Sequence, residues 1–112
     1  MKIVKSFKLK IAHFLPGYVG KCKQLHGHTM RLDVIIDGRI NPDTGMVIDF
    51  YEIDRVVKNK VWSVLDHTLL NDTIKNPTSE NVAIWIMEQL KKEFGDPVAI
   101  RLWEDDDAYV EL

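Results

Sequence analysis

Two long runs of alternating residues leave this chain few folds to choose from. In residues 2 to 13, Phe7, Leu9, Ile11 and His13 share one parity. In residues 26 to 37, His26, His28, Met30, Leu32, Val34 and Ile36 share another. Strand side chains alternate between faces, so each run is an amphipathic strand whose apolar parity marks the buried face. The segment between them holds Pro16-Gly17 and Gly20. It is a loop too long for a tight turn, and loops of that size are often functional. An antiparallel hairpin sets the end of the first strand beside the start of the second. His13, His26 and His28 therefore gather at one end of one apolar face.

Three imidazoles in that position form an open three-nitrogen site suited to zinc, because three protein ligands leave a coordination position for water or substrate. Iron or nickel also suits three nitrogens, so the pattern speaks for a metal more strongly than for its identity. The plain alternative is that His28 packs in the core and His26 merely opens a strand.

At 112 residues the chain is a single domain, residues 1–112, with a modest core. Its formal charge of −2 gives no overall pull toward nucleic acid or anionic lipid, although Lys8, Lys10, Lys21 and Lys23 surround the histidine hairpin. A single cysteine, Cys22, cannot form an intrachain disulfide and suits a reducing cytosol. Met1-Lys2-Ile3-Val4-Lys5 alternates and does not open a hydrophobic leader. No apolar run approaches the ~18 residues needed to span a bilayer. The expectation is a soluble cytoplasmic protein.

Beyond the hairpin the pattern reads helix, helix, strand, strand. Asn41-Pro42-Asp43-Thr44-Gly45 has turn chemistry, and Met46-Val47-Ile48 reads as a brief strand segment. Asp49, with Glu52 three residues on, caps a helix carrying Ile53, Val56, Val57, Val61, Val64 and Leu65. After a polar loop from Asn71 to Pro77, Thr78 or Ser79 caps a second helix with Val82, Ile86, Leu90 and Phe94, stopped by Gly95 and Pro97. Val98, Ile100, Leu102 and Glu104 share a parity of a third strand, and Tyr109, Val110 and Leu112 suggest a short fourth. Two helices can cover one sheet face. The other carries Lys2, Lys8, Lys10, Thr29, Arg31, Asp33 and Asp37. Open sheet edges are normally blunted or paired, which points to edge-to-edge association into a ring.

Several residues carry candidate chemistry. Cys22, between Lys21 and Lys23, is a nucleophile or base candidate because nearby cations favour the thiolate; the alternative is an inert thiol. His67 follows Asp66 at the end of the first helix, where the dipole favours a cation, as a general acid requires. A simple helix cap explains the pair equally well, and Asp66 can orient His67 only through a turn or across a neighbouring subunit. Glu104 lies at the parity of a buried face, so its carboxylate needs a cationic or donor-rich partner, such as a ligand with an amidine-like edge. Thr78, Ser79 and Glu80 begin a helix whose free N–H groups can hold a ligand, although ordinary capping accounts for Thr78.

Taken together, these residues resemble the 6-pyruvoyltetrahydropterin synthase / 6-carboxytetrahydropterin synthase family. The resemblance rests on Ala12-His13, Pro16-Gly17 and Cys22-x-x-x-His26-Gly27-His28. It continues through Val47-Ile48-Asp49-Phe50, Leu65-Asp66-His67-x-x-Leu70-Asn71, Pro77-Thr78-Ser79-Glu80-Asn81 and Glu104 to Tyr109. It implies an α+β tunnelling fold: a four-stranded antiparallel sheet with two helices between strands two and three. It also implies a homo-oligomer, two stacked trimers forming a hexamer, with active sites at subunit interfaces. By the same resemblance His13, His26 and His28 hold one zinc ion per subunit, Cys22 accepts a proton, and Asp66 with His67 forms a proton relay. Glu104 anchors the pterin with help from Thr78, Ser79 and Glu80.

The implied substrate is 7,8-dihydroneopterin triphosphate. The carboxy branch releases acetaldehyde and triphosphate and leads toward queuosine and other deazapurines; the pyruvoyl branch stops at triphosphate elimination. The compact chain and the Pro16 to Cys22 loop look more like the carboxy branch. A non-catalytic zinc- or pterin-binding protein is the rival from another class, and Cys22, Asp66 and His67 argue against it. A cyclohydrolase or aldolase on the same scaffold is a third reading, opposed by the cysteine–histidine block. Two positions depart from the family pattern: Ile11, where many relatives have a small residue, and Asp105, where relatives usually carry threonine.

Overall fold

The computed structural model describes residues 1–112. The two alternating runs form β1 (Lys2–His13) and β2 (His26–Asp37), paired antiparallel in unbroken register from Lys2 against Asp37 to His13 against His26. Twelve residues at ~3.3 Å each give strands of roughly 40 Å, which accounts for a molecule 53 Å along its longest axis. The first helical body begins with α1 (Phe50–Val57), passes through a π-helical turn (Lys58–Trp62) and ends in α2 (Ser63–Leu65). A two-residue strand, β3 (Thr68–Leu69), follows, and then α3 (Ser79–Phe94), β4 (Val98–Asp105) and β5 (Ala108–Glu111). Both helical bodies lie between β2 and β4, as expected.

The sheet order is β3-β1-β2-β4-β5, five strands where the sequence suggested four. The extra strand is β3, which runs parallel to β1 and makes the sheet mixed. Two residues are too few to show any alternation. They pair because the preceding backbone is already fixed to β1, with the His67 N–H donating to the Lys10 carbonyl at 2.6 Å. Met46-Val47-Ile48 is not a strand, and only an isolated bridge joins Met46 to Asn41.

Twenty-two buried apolar residues form one core between the helices and one sheet face. Phe7, Leu9, Ile11, Met30, Leu32, Val34 and Ile36 all belong to it, which bears out the parity reading. Val64 was expected inward but is exposed, whereas Val57, Val61 and Leu65 remain buried at four-residue spacing. The π-helical turn between them shifts the following side chains around the axis. Asp49 caps α1 by accepting the Tyr51 N–H at 2.9 Å. Glu52 does not complete a reciprocal capping box; both its oxygens go to Arg55. Thr78, not Ser79, caps α3, accepting the Asn81 N–H. Gly95 ends that helix at φ 68°, a left-handed conformation that suits glycine.

Candidate active site

The hairpin register places His13 directly opposite His26, with His28 one repeat of the pleat further along β2. Their rings pack edge to face with centroids 4.5 to 5.1 Å apart. One nitrogen from each lies within 4.8 Å of the others, a spacing that can hold a metal ion. Which nitrogens converge follows from the hydrogen bonds on the far side of each ring. His13 Nδ1 lies 2.9 Å from the Pro77 carbonyl, and His26 Nδ1 lies 2.7 Å from the Gln24 carbonyl. A carbonyl can only accept, so both Nδ1 atoms carry the proton and both Nε2 atoms present lone pairs.

Those two lone pairs face one another across 2.9 Å. With the protons committed to Nδ1, nothing on the neutral rings can stand between them, and two acceptors at that distance repel. His28 Nε2 is buried without a hydrogen bond, although a Glu104 oxygen lies 3.1 Å away. A cation at this point relieves both defects, so the donor set fits a bound metal. Burial holds the His13 imidazole below its ordinary pKa, and the charges of His26 and His28 act the same way against the Pro77 carbonyl and Glu104. The ring is held in its neutral form, the form that can ligate a metal.

Beside the histidines, Glu104 accepts from the Ser79 hydroxyl at 2.6 Å. Ser79, Glu80 and Glu104, with Ala108, Tyr109 and Val110, line a concavity of about 160 Å³. The donor expected beside Glu104 is thus the Ser79 hydroxyl at the start of α3, while His28 Nε2 lies 3.1 Å from its other oxygen without a hydrogen bond. Thr78 is occupied as the helix cap and does not line this concavity.

Asp66 and His67 form the turn-mediated pair that sequence left open. His67 adopts φ 56°, which folds the chain back so that its Nδ1 reaches the Asp66 carboxylate at 2.6 Å. The other Asp66 oxygen accepts the Lys10 N–H at 2.9 Å, which fixes the pair to the edge of β1. Burial pushes the Asp66 carboxyl up, but the bonds from Lys10 and His67, with their charges, outweigh it and hold the group below the usual aspartate range. The Asp66 side chain is 6% exposed and that of His67 73%, so a half-buried aspartate presents an imidazole to the outside. An open concavity of about 600 Å³ contains both His67 and His28, together with Lys10, Thr29 and Thr68.

Cys22 lies half-buried in a short 3₁₀ turn (Lys21–Lys23), and its carbonyl accepts the Leu15 N–H at 2.9 Å. No hydrogen bond joins its thiol to Asp66 or His67 within one chain. Sequence reasoning did not find the carbonyls of Pro77 and Gln24, since any residue supplies a carbonyl. It also missed Asn71, whose side chain both donates to and accepts from the Phe14 backbone and so fixes the chain next to His13. The Leu70-Asn71 motif was visible, but its task was not.

The 6-pyruvoyl tetrahydropterin synthase family model matches residues 2–112. A 6-carboxy-5,6,7,8-tetrahydropterin synthase of Synechocystis is 41% identical over 105 residues, covering 85% of this chain and 78% of that protein. A dihydroneopterin monophosphate aldolase of Pyrococcus furiosus is 41% identical over 93 residues, covering 80% and 79%. The 6-pyruvoyl tetrahydropterin synthase structure of Caenorhabditis elegans superposes with a TM-score of 0.89 at 24% identity, covering all of this chain and 94% of that one, and shares its fold. With the family model spanning all but the first residue, the chain belongs to the 6-pyruvoyl tetrahydropterin synthase family.

Proposed function

We propose that this protein is a zinc-dependent pterin lyase of the cytoplasm that converts 7,8-dihydroneopterin triphosphate to 6-carboxy-5,6,7,8-tetrahydropterin, acetaldehyde and triphosphate, in deazapurine biosynthesis. The observation that carries the reading is the facing pair of His13 and His26 lone pairs beside the orphaned Nε2 of His28. A Synechocystis relative named for the carboxy product supports that branch.

His13, His26 and His28 would hold the metal, which supplies Lewis-acid polarisation of the substrate's side-chain oxygens. Glu104, held by Ser79, offers two carboxylate oxygens to the guanidine-like edge of a pterin, and Glu80 lines the same concavity. Thr78 supports this arrangement by fixing the start of α3. Cys22 accepts a proton from the substrate side chain. His67, oriented by Asp66, moves a proton at the periphery. Because His67 and Cys22 share no bond within one chain, the relay serves a Cys22 of a neighbouring copy in a ring-forming oligomer, a hexamer of two trimers. The exposed His67 ring beside an edge strand suits that use.

A second reading has a specific observation behind it. The cysteine–histidine block argued against an aldolase, yet an aldolase of dihydroneopterin monophosphate is 41% identical to this chain over 93 residues. Product analysis separates the readings. Zinc-loaded protein given 7,8-dihydroneopterin triphosphate should yield acetaldehyde with 6-carboxytetrahydropterin by mass spectrometry. Release of 6-pyruvoyltetrahydropterin alone moves the protein to the pyruvoyl branch. A hydroxymethyl pterin formed from the monophosphate establishes the aldolase, and no turnover of either substrate leaves a binding protein.

A further inference from the structure

Asp105 stands where simple alternation excludes it from the site. Glu104 follows Leu102 on the buried parity of β4, so the next residue belongs on the opposite face, with Trp103. The pairing of β4 with β5 shows why it is not there. Trp103 pairs with Tyr109 and Asp105 pairs with Ala108, so two steps along β4 match a single step along β5. Glu104 is the extra residue of a β-bulge, and a bulge re-aims the side chains that follow it. Asp105 is thereby paired with Ala108, and the carboxylates of Glu104 and Asp105 both come within 3.4 Å of His28.

The result is one imidazole with a carboxylate at each nitrogen. Glu104 Oε1 lies 3.1 Å from His28 Nε2, and Asp105 Oδ1 lies 3.4 Å from His28 Nδ1. The other two histidines donate their Nδ1 protons to main-chain carbonyls, of Pro77 and Gln24. His28 sits further along β2, and no main-chain carbonyl hydrogen-bonds its Nδ1. Asp105 supplies the acceptor that is otherwise missing.

We propose that Asp105 is the positioning residue for His28: it accepts the Nδ1 proton, fixes the ring in the tautomer that presents Nε2 to the metal, and does so with a charged group where the other two ligands have neutral ones. This rests on the three-histidine metal centre proposed above. A carboxylate behind a ligating imidazole raises its basicity as well as orienting it, and removing such a partner commonly weakens metal binding by about 10- to 100-fold. Asp105 is 65% exposed, so solvent screens it and the lower end applies. Its position outside the core also means that substitution leaves the fold intact.

The test compares wild type with Asp105→Ala and Asp105→Asn in two measurements. Zinc affinity is read by competition with a chromogenic chelator, and the His28 tautomer is read in the metal-free protein by long-range proton–nitrogen correlation. Asp105→Ala should weaken zinc binding about tenfold and leave His28 a mixture of tautomers. Asp105→Asn keeps an acceptor oxygen without the charge, so it should retain the Nδ1–H tautomer and recover part of the affinity. Wild-type zinc affinity with an unchanged tautomer in Asp105→Ala overturns the proposal. So does weakened affinity with the tautomer unchanged, which reduces Asp105 to a distant charge. If wild type itself binds no zinc, the metal-centre reading falls, while the tautomer comparison still decides the role of Asp105.

Discussion

Two residues with polar side chains are buried in this molecule, His13 and Asp33, on opposite faces of the same hairpin. Asp33 lies on the face away from the helices, where the sequence placed it, but it is covered and not exposed. Its carboxylate accepts from the Ser6 hydroxyl at 2.6 Å, the Trp103 indole at 2.8 Å and the Arg31 guanidinium at 3.1 to 3.2 Å. The Arg31 guanidinium also stacks over the Trp103 ring at 4.3 Å. Every demand of that buried anion is met by the chain itself. His13 is the reverse: one ring nitrogen is satisfied and the other faces a second lone pair. Buried polar groups are normally paired, so the group left unpaired is the one awaiting something from outside. Asp33 stitches three strands together, and His13 belongs to a site.

That contrast predicts a separation of effects. The largest should come from His28→Ala, which removes one of the three proposed ligands: stoichiometric zinc should be lost on dialysis and turnover should fall to background. Full zinc occupancy in that variant, measured by atomic absorption, would remove His28 from the ligand set and leave the orphaned Nε2 without explanation. Next comes Cys22→Ala. A positioned proton acceptor, the role proposed for Cys22, contributes roughly 10²- to 10⁴-fold, so turnover should drop by that factor while zinc content matches that of wild type. Unchanged turnover would make Cys22 the inert thiol that a lone cysteine often is.

The two regions were not equally legible in the sequence. The limits of β1 and β2, the burial of their apolar parity and the gathering of three histidines all follow from alternation, which is a long-range regularity over twelve residues. What escaped lies where that regularity breaks. The bulge at Glu104 shifts the register of Asp105, and a residue that looked like a departure from the family pattern becomes a partner of His28. The π-helical turn shifts the face of Val64, and β3 is too short to alternate. The positive φ of His67 is a single-residue event, and it decides whether Asp66 and His67 are a pair or merely neighbours. The Asp33 network was equally hidden, since its members come from β1, β2 and β4 and look like ordinary surface residues.

The smallest expected effect is also the one that tests the structural half of the contrast. Burial alone would raise the pKa of Asp33, but the bonds from Ser6, Trp103 and Arg31, with the Arg31 charge, hold it below the ordinary aspartate value. A carboxyl depressed in the folded state contributes stability that is fully present above its unfolded pKa, ~3.9, and is lost as pH falls through the folded value. Asp33→Asn replaces an acceptor-only group with one whose amide N–H atoms meet the donors of Arg31 and Trp103. Leaving such donors unsatisfied costs about 1–3 kcal/mol. Urea unfolding of the metal-free Asp33→Asn variant at neutral pH should therefore show a loss of stability of that size. The gap from wild type should narrow as pH falls below about 4. Chelator must be present throughout, because acid also protonates the histidines and releases metal, which would mix the two regions. Zinc affinity at neutral pH should be the same in both proteins. A gap that persists unchanged into acid would mean that the carboxylate's charge is not what stabilises the sheet. A loss of zinc in Asp33→Asn would mean that the two faces of the hairpin are coupled, and that the satisfied group and the unsatisfied one are parts of a single device.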